Sequence, residues 1–197
     1  PTAVLRIMNN STKPMFPSLL HLPPYLTADV SPERLNPGHS GKITLTLNSE
    51  KVHGYGLTQT NVYLAQQLGE KVNSETEIGI STVILPDMKG VSEAYAPLME
   101  LSDSVLNIRF DGKAKKTGEI IIRNNGRITL EISSLQMFTT GLKVTLGKRT
   151  LNPGESTKLK VTAFAAELAK VRTRPRVLMI TNDPKHAKVV IKVQTQQ

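Results

Sequence analysis

The run His39-Ser40-Gly41-Lys42 has the residue types of a phosphate-binding loop. Such a loop needs a second glycine five residues before Gly41 and a Ser or Thr after the lysine, so that backbone amides cradle phosphate and a hydroxyl reaches the metal. Those positions hold Asn36 and Ile43, and an alternating strand-like run follows where a helix should begin. The phosphate-loop reading fails. Gly54-Tyr55-Gly56 is likewise a pair of loop glycines and not a dinucleotide fingerprint. The four histidines, His21, His39, His53 and His186, lack the short intervals that place two ligands on one metal. Nor does any of them come with the partners that acid–base chemistry needs. The carboxylates are scattered among Lys and Arg, and no G-x-S-x-G elbow is present. The chain has no cysteine, which removes thiolate nucleophiles, thiolate metal sites and disulfides together. The expectation is a protein that is not an enzyme, with no catalytic residue, no metal site and no cofactor.

Charge offers one candidate surface. The net charge is +9, but residues 1–99 hold 7 Lys/Arg against 8 Asp/Glu, whereas residues 100–197 hold 18 against 8. Arg172, Arg174 and Arg176 alternate, so an extended backbone would point them the same way. Lys158 and Lys160 share the solvent side of one predicted strand, and Lys188 and Lys192 that of the last. These seven cations form a candidate anion-binding surface for a glycan or lipid headgroup. The preferred reading of them is a solubilising outer face, on which edge lysines and Pro175 discourage strand-to-strand aggregation. Nucleic acid is disfavoured, because stacking platforms are scarce: the chain has no Trp, and Tyr95, Phe110, Phe138 and Phe164 are the aromatics in or beside the basic half.

The elements that must carry these residues read as strands. VLNIRF (105–110), EIIIRN (119–124), ITLEISS (128–134), LKVTL (142–146), STKLKVTAF (156–164), RVLMITN (176–182) and KVVIKVQ (188–194) are β-branched, often alternating, and bounded by turn residues. In the sixth segment's wake, Asp183-Pro184 marks a tight turn into the last strand. Asn125-Gly126 is predicted to make a type I′ hairpin turn, with positive φ at both residues. Asn9-Asn10-Ser11 and Asn10-Ser11-Thr12 fit a glycosylation acceptor, but they fall in a predicted hairpin turn where Asn and Ser are favoured anyway.

Much of this pattern occurs twice. LRIMNNSTKPM (5–15) lines up with IIRNNGRITL (121–130) by pairing Asn9 with Asn124, and Leu35-Asn36-Pro37-Gly38 lines up with Leu151-Asn152-Pro153-Gly154. Two landmarks in the same order at nearly equal offsets point to a tandem duplication. In each LNPG, Pro presets φ for the second turn position and Gly tolerates positive φ at the third, the chemistry of a type II turn. The first copy shows six segments: AVLRIM, KPMFPSLL, LTADV, GKITLTL, TQTNVYLAQ and TEIGISTVI. Its counterpart of VLNIRF would fall before Pro1. The first copy is read as truncated at its N-terminus, with a strand from another chain as the alternative filling of that edge.

The predicted fold is therefore all-β: two tandem Ig-like antiparallel β-sandwiches, the first lacking its N-terminal strand. The domains are expected at residues 1–85 and 104–197, with residues 86–103 as linker. No apolar run approaches the roughly 18 residues that span a bilayer.

NNGRITLEISSLQMFTTGLKVTLGKRTLNPGESTKLKVTAF, then RVLMITNDP and a final strand, resembles an uncharacterised family of bacterial Ig-like domains. That family is related in form to ASH (Hydin-type) and major sperm protein sandwiches. The resemblance covers Val105–Gln194 well and Ala3–Val83 more loosely. It implies a periplasmic or secreted protein of Gram-negative bacteria, with its signal or lipoprotein segment removed. Many members of that family carry a Cys-Gly-Cys-like loop after the third strand. This chain has Pro23-Pro24-Tyr25 in one copy and Phe138-Thr139-Thr140 in the other, so no redox or metal role is carried over. The expected function is non-catalytic binding or scaffolding in the envelope, with a protein or cell-envelope polymer as partner. The alternative is recognition of an anionic glycan or lipid headgroup by the basic C-terminal domain.

Overall fold

The structure is a computed structural model and describes residues 1–67 and 69–196. The chain divides into two compact units, Pro1–Gly54 with Thr58–Ile84, and Tyr55–Leu57 with Leu85–Gln197. The strands of the first copy are β1 (Thr2–Met8), β2 (Ser18–Leu20), β3 (Leu26–Ser31), β4 (Ser40–Leu47), β5 (Gly56–Ala65) and β6 (Glu77–Ile84). They form two three-stranded sheets, β1-β4-β3 and β2-β5-β6. KPMFPSLL yields only the short β2, with Met15 held by an isolated bridge to Leu35. Pro14 and Pro17 have no N–H to give to a ladder, so the run cannot pair along its length.

The second unit contains β7 (Met99–Leu101), β8 (Val105–Arg109), β9 (Lys115–Asn124), β10 (Leu130–Met137), β11 (Leu142–Leu146), β12 (Thr150–Leu151) and β13 (Ser156–Phe164). A four-residue helix, α1 (Ala165–Leu168), then precedes β14 (Arg176–Thr181) and β15 (Lys188–Gln196). The sheets are β11-β13-β9-β7 and β12-β10-β14-β15-β8. Within residues 86–103, expected as linker, Met99–Leu101 pairs antiparallel with Ile122–Asn124 of β9. β13 alternates as its sequence dictates, whereas the apolar run of β14 is buried from Val177 to Thr181. On β13, Leu159, Val161 and Ala163 are fully buried, while Lys158 and Lys160 are exposed. The all-β sandwich fold expected from the sequence is the fold observed.

The duplicated residues form one joint, built twice. Asn9 and Asn124 are buried. Asn9 Nδ2 donates to the carbonyls of Lys13 and Leu35, and Asn124 Nδ2 donates to those of Ile128 and Leu151. The amides of Gly38 and Gly154 donate back to the Asn9 and Asn124 carbonyls, at 2.8 Å in both cases. Pro-Gly closes a type II turn at both sites, with φ +73° at Gly38 and +82° at Gly154. The closing bonds run from the His39 amide to the Asn36 carbonyl and from the Glu155 amide to the Asn152 carbonyl.

The hairpin expectation for the Asn-Asn segments is corrected. β9 and β10 lie in different sheets, as do β1 and β2, so these segments arch from one sheet to the other. Neither Asn125 nor Gly126 takes positive φ. Gly126 is needed for a different reason: a Cβ there would stand 2.6 Å from the Ala96 carbonyl oxygen.

The two cores differ in completeness. In the second unit eighteen buried residues form one cluster, among them Ile120, Ile122, Leu151, Leu159 and Ile191. Among the described residues the first unit's cluster has four, Leu19, Ile43, Leu45 and Val62, edged by partly buried Leu5, Ile7, Ile78 and Ile80.

Candidate functional site

The structure places five of the seven candidate cations on two sheets of the second unit and two, Arg172 and Arg174, in a loop. Lys158 and Lys160 stand on the outer face of β13, where both reach the Glu119 carboxylate of neighbouring β9, at 3.2 and 3.4 Å. The Lys158 contact, more than that of Lys160, holds the Glu119 carboxyl below its ordinary range. These two lysines already have an anionic partner, and the surface is exposed, so each pair contributes little to stability.

Arg176, Lys188 and Lys192 belong to the sheet of β14 and β15. Arg174, Arg176 and Lys192 line one groove of about 760 Å³, together with Pro175, Val193 and Thr195. Arg176 and Lys192 sit directly opposite one another on neighbouring strands, which gathers two like charges in place of a compensating pair. The Arg176 guanidinium lies over the Phe138 ring at 4.2 Å, and its Nε is buried without a hydrogen-bond partner. Arg172 and Arg174 fall in the loop before β14, not in a strand, so their spacing in sequence does not align them. Arg172 does not line the groove, and Lys188 is exposed further along β15. Among the described residues no cluster of three or more His, Asp or Glu is placed to hold a metal ion.

Two features have no clear signal in the local sequence. Asp183 is buried and does more than shape its local turn. Its carboxylate accepts from the Met99 amide at 2.7 Å and the Lys185 amide at 2.9 Å, and meets His186 Nδ1 at 2.6 Å. That carboxylate fastens β7, 84 residues away, so the Asp183-Pro184 turn is a structural anchor. The second feature is apolar. On β1, an edge strand, Val4 and Met8 are each 57% exposed on the outer face. The duplication pairs them with Glu119 and Arg123 of β9, and Phe16, also exposed, with Glu131. Comparing outward positions between the copies would have revealed this exchange, which runs the other way at the middle position, where Arg6 stands for the exposed Ile121.

Residues 97–196 match the family described as HYDIN/CFA65/VesB-like, Ig-like domain. The chain belongs to this family. Curated proteins give no match. Among solved structures, a protein of unknown function from Porphyromonas gingivalis W83 superposes with a TM-score of 0.71 at 20% identity, over 100% of this chain and 92% of that one. The VesB protease of Vibrio cholerae gives a TM-score of 0.41 at 13% identity, over 93% of this chain and 63% of that one. The CupB2 chaperone of Pseudomonas aeruginosa gives 0.30 at 11%, over 97% and 91%. The first likeness establishes the fold and nothing about activity, and the two lower scores add nothing to it.

Proposed function

We propose that this protein is a non-catalytic binding or scaffolding protein of the bacterial cell envelope, holding a protein partner on its Ig-like units. The observation that carries this reading is the outer face of β1. Val4 and Met8 lie exposed on an edge strand whose duplicated counterpart carries Glu119 and Arg123. Exposed large apolar side chains at positions where the same framework elsewhere uses charge are the mark of an interaction surface. A periplasmic or secreted location is the one implied by the sequence resemblance. No helix among the described residues is long and apolar enough to cross a membrane.

The test is in-cell cross-linking from a photoreactive residue at position 6, between Val4 and Met8. A discrete cross-linked protein is expected, and Val4→Glu with Met8→Arg should reduce it at least tenfold while leaving the circular dichroism spectrum unchanged. Absence of any discrete product, or a product indifferent to the two substitutions, overturns the reading.

The basic groove favours a second reading, recognition of an anionic glycan or lipid headgroup through Arg174, Arg176 and Lys192. Binding to a sulfated glycan or to anionic vesicles should then fall steeply between low and physiological salt. Arg172, Arg174 and Arg176→Ser together should abolish it; binding unchanged by that variant would remove this reading.

A further inference from the structure

Gly41, Gly56, Gly79 and Gly118 lie within strands, and the fold accounts for three of them. Gly56 has a φ of +106°. A Cβ at Gly41 would stand 3.2 Å from the Ser31 carbonyl oxygen, and one at Gly118 would stand 2.9 Å from the Leu106 side chain. Gly79, inside β6, has no such reason. Its φ lies outside the positive region, and the one atom a Cβ would meet within 4 Å is Asn61 Oδ1, at an ordinary 3.7 Å. A glycine inside a strand weakens it, and marks a bulge, a barrel corner, or the close approach of a ligand or another backbone. Burial alternates without a break from Glu77 to Thr82, which a bulge would interrupt. The three-stranded sheet is open and has no barrel corner, and no other backbone comes near Gly79. What is left is a ligand.

The side chains around this gap form a polar strip. Ile78 and Ile80 pack on the core, so Glu77, Gly79 and Ser81 face outward. On β5, Val62 and Leu64 turn inward, so Gln59, Asn61 and Tyr63 share that outer face. Asn61 Nδ2 donates to Glu77 Oε1 at 3.0 Å, and the Tyr63 hydroxyl donates to Oε2 at 3.1 Å. Gln59 Nε2 donates to Ser81 Oγ at 3.3 Å. A carboxylate has about four acceptor positions, so Glu77 keeps acceptor capacity beyond these two bonds. Neither β5 nor β6 contains a Lys or Arg, so the strip is acceptor-rich and carries a negative charge. Charge complementarity therefore excludes phosphate, sulfate and carboxylate ligands and calls for hydroxyl donors. The strip faces away from the core, so it stays open whichever strand flanks β6.

We propose that the outer face of β5 and β6 binds an uncharged polysaccharide, with one sugar ring lying over Gly79. Ring hydroxyls donate to the Glu77 carboxylate and to the Asn61 carbonyl oxygen. The negative face of the Tyr63 ring meets the C–H face of the sugar. Glu77 to Ser81 spans about 13 Å of strand, longer than one ring, so the strip suits a chain of sugars. A protein segment would find one large apolar group there, Tyr63, and little area to bury. The inference goes beyond the partner-binding reading, which rests on β1, and its ligand is opposite in charge preference to that of the basic groove.

The test probes the full chain against immobilised neutral oligomers of glucose, mannose and N-acetylglucosamine beside sulfated ones, with backbone amide NMR on any that bind. Retention of a neutral oligomer is expected, with amide shifts on β5 and β6 and no weakening from low to physiological salt, since no ion pair forms. Gly79→Val should lower the affinity at least tenfold while keeping the thermal midpoint equal or higher, because a β-branched residue suits a strand. Glu77→Gln should weaken binding severalfold. No neutral oligomer retained, retention of sulfated oligomers alone, or binding indifferent to Gly79→Val overturns the proposal. A lower midpoint in Gly79→Val also overturns it, since the glycine would then serve the fold. So does binding lost in Arg172, Arg174 and Arg176→Ser together, which would assign the sugar to the basic groove. None of these results bears on the cross-linking at Val4 and Met8, so the two readings fall separately.

Discussion

Ile120 and Ile122 of the second unit are fully buried; Leu5 and Ile7, their counterparts in the first, are only partly buried. The framework around them is the same: a buried Asn, an arch between sheets, and a Pro-Gly turn into the next strand. Among the described residues the difference is one segment, Met99–Arg109, which covers β9 and β15, while none of them pairs along the outer edge of β1 or β6. A joint can thus be complete while the core it serves stays open. Local hydrogen bonding fixes the path of the chain, and closure is a separate, non-local event.

The largest effect that can break this comparison is a cavity at the shared turn. Leu35 and Leu151 open the two LNPG turns and are buried to 1% and 0% exposure. Leu151→Ala should destabilise the second unit by about 4 kcal/mol, because a closed core cannot collapse onto the cavity. Leu35→Ala should cost roughly 2 kcal/mol, at the low end of the range, since a partly open core can resettle. Denaturant unfolding with hydrogen exchange read on each unit separately would measure both. Equal losses would mean that the first core is as tightly packed as the second.

Next comes the Asn pair. Asn124→Ala strips the carbonyls of Ile128 and Leu151 of a donor and the Gly126 amide of an acceptor. Each buried group left unpaired costs about 1–3 kcal/mol, so a loss of about 3 kcal/mol is expected. Asn9→Ala leaves the Lys13 carbonyl with the Ser11 hydroxyl as a second donor, at 2.9 Å, and should cost less. Gly126→Ala follows, at about 2 kcal/mol, because the added methyl meets fixed backbone at Ala96 and Leu98 and not a side chain that can turn away. Ser11→Gly in the first unit should change stability by only a few tenths of a kcal/mol, as for other surface positions. A neutral Gly126→Ala would show that the approach of the β7 segment does not require glycine.

How much of this was legible in the sequence follows from the range of each interaction. Strand positions and the type II turns were readable because alternation and Pro-Gly act over a few residues. The duplication was readable because Asn9 and Asn124 keep the same neighbours. The Asn-Asn segments were misread as hairpins, since Asn-Gly serves a tight turn and a close backbone approach equally, and the approaching backbone at Ala96–Leu98 is distant in sequence. Asp183 gave its turn away but not its grip on the Met99 amide, for the same reason. Of the seven cations, alternation correctly put Lys158 and Lys160 on an outer face but could not show that Glu119 already engages them. Arg176 and Lys192 converge through strand pairing between β14 and β15, and Arg174 joins them from the preceding loop, which no local spacing records.

The smallest effects separate the units by pH. Where Glu155 follows the second LNPG, its carboxylate accepts from the Asn152 amide at 2.9 Å and meets Lys148 Nζ at 3.3 Å. The Asn152 bond first, then Lys148, holds the Glu155 carboxyl below its ordinary value of 4.5. A depressed folded value means that its stabilisation is fully present above that ordinary value and is lost as pH falls through the folded one. The first LNPG is followed by His39 and has no such carboxylate. In that unit Tyr63 donates to Glu77 at 3.1 Å, and this bond raises the phenol above its ordinary value of 10.0. That contribution is intact below the ordinary value and is lost as pH rises through the folded one. Hydrogen exchange followed against pH should show the turn at Asn152 loosening first on the acid side and the β5–β6 pair on the alkaline side. Glu155→Gln should flatten the first response and leave the second, and Tyr63→Phe should do the converse. If one substitution altered both limbs, the two units would be melting as one, and the contrast between a closed and an open sandwich would lose its thermodynamic meaning.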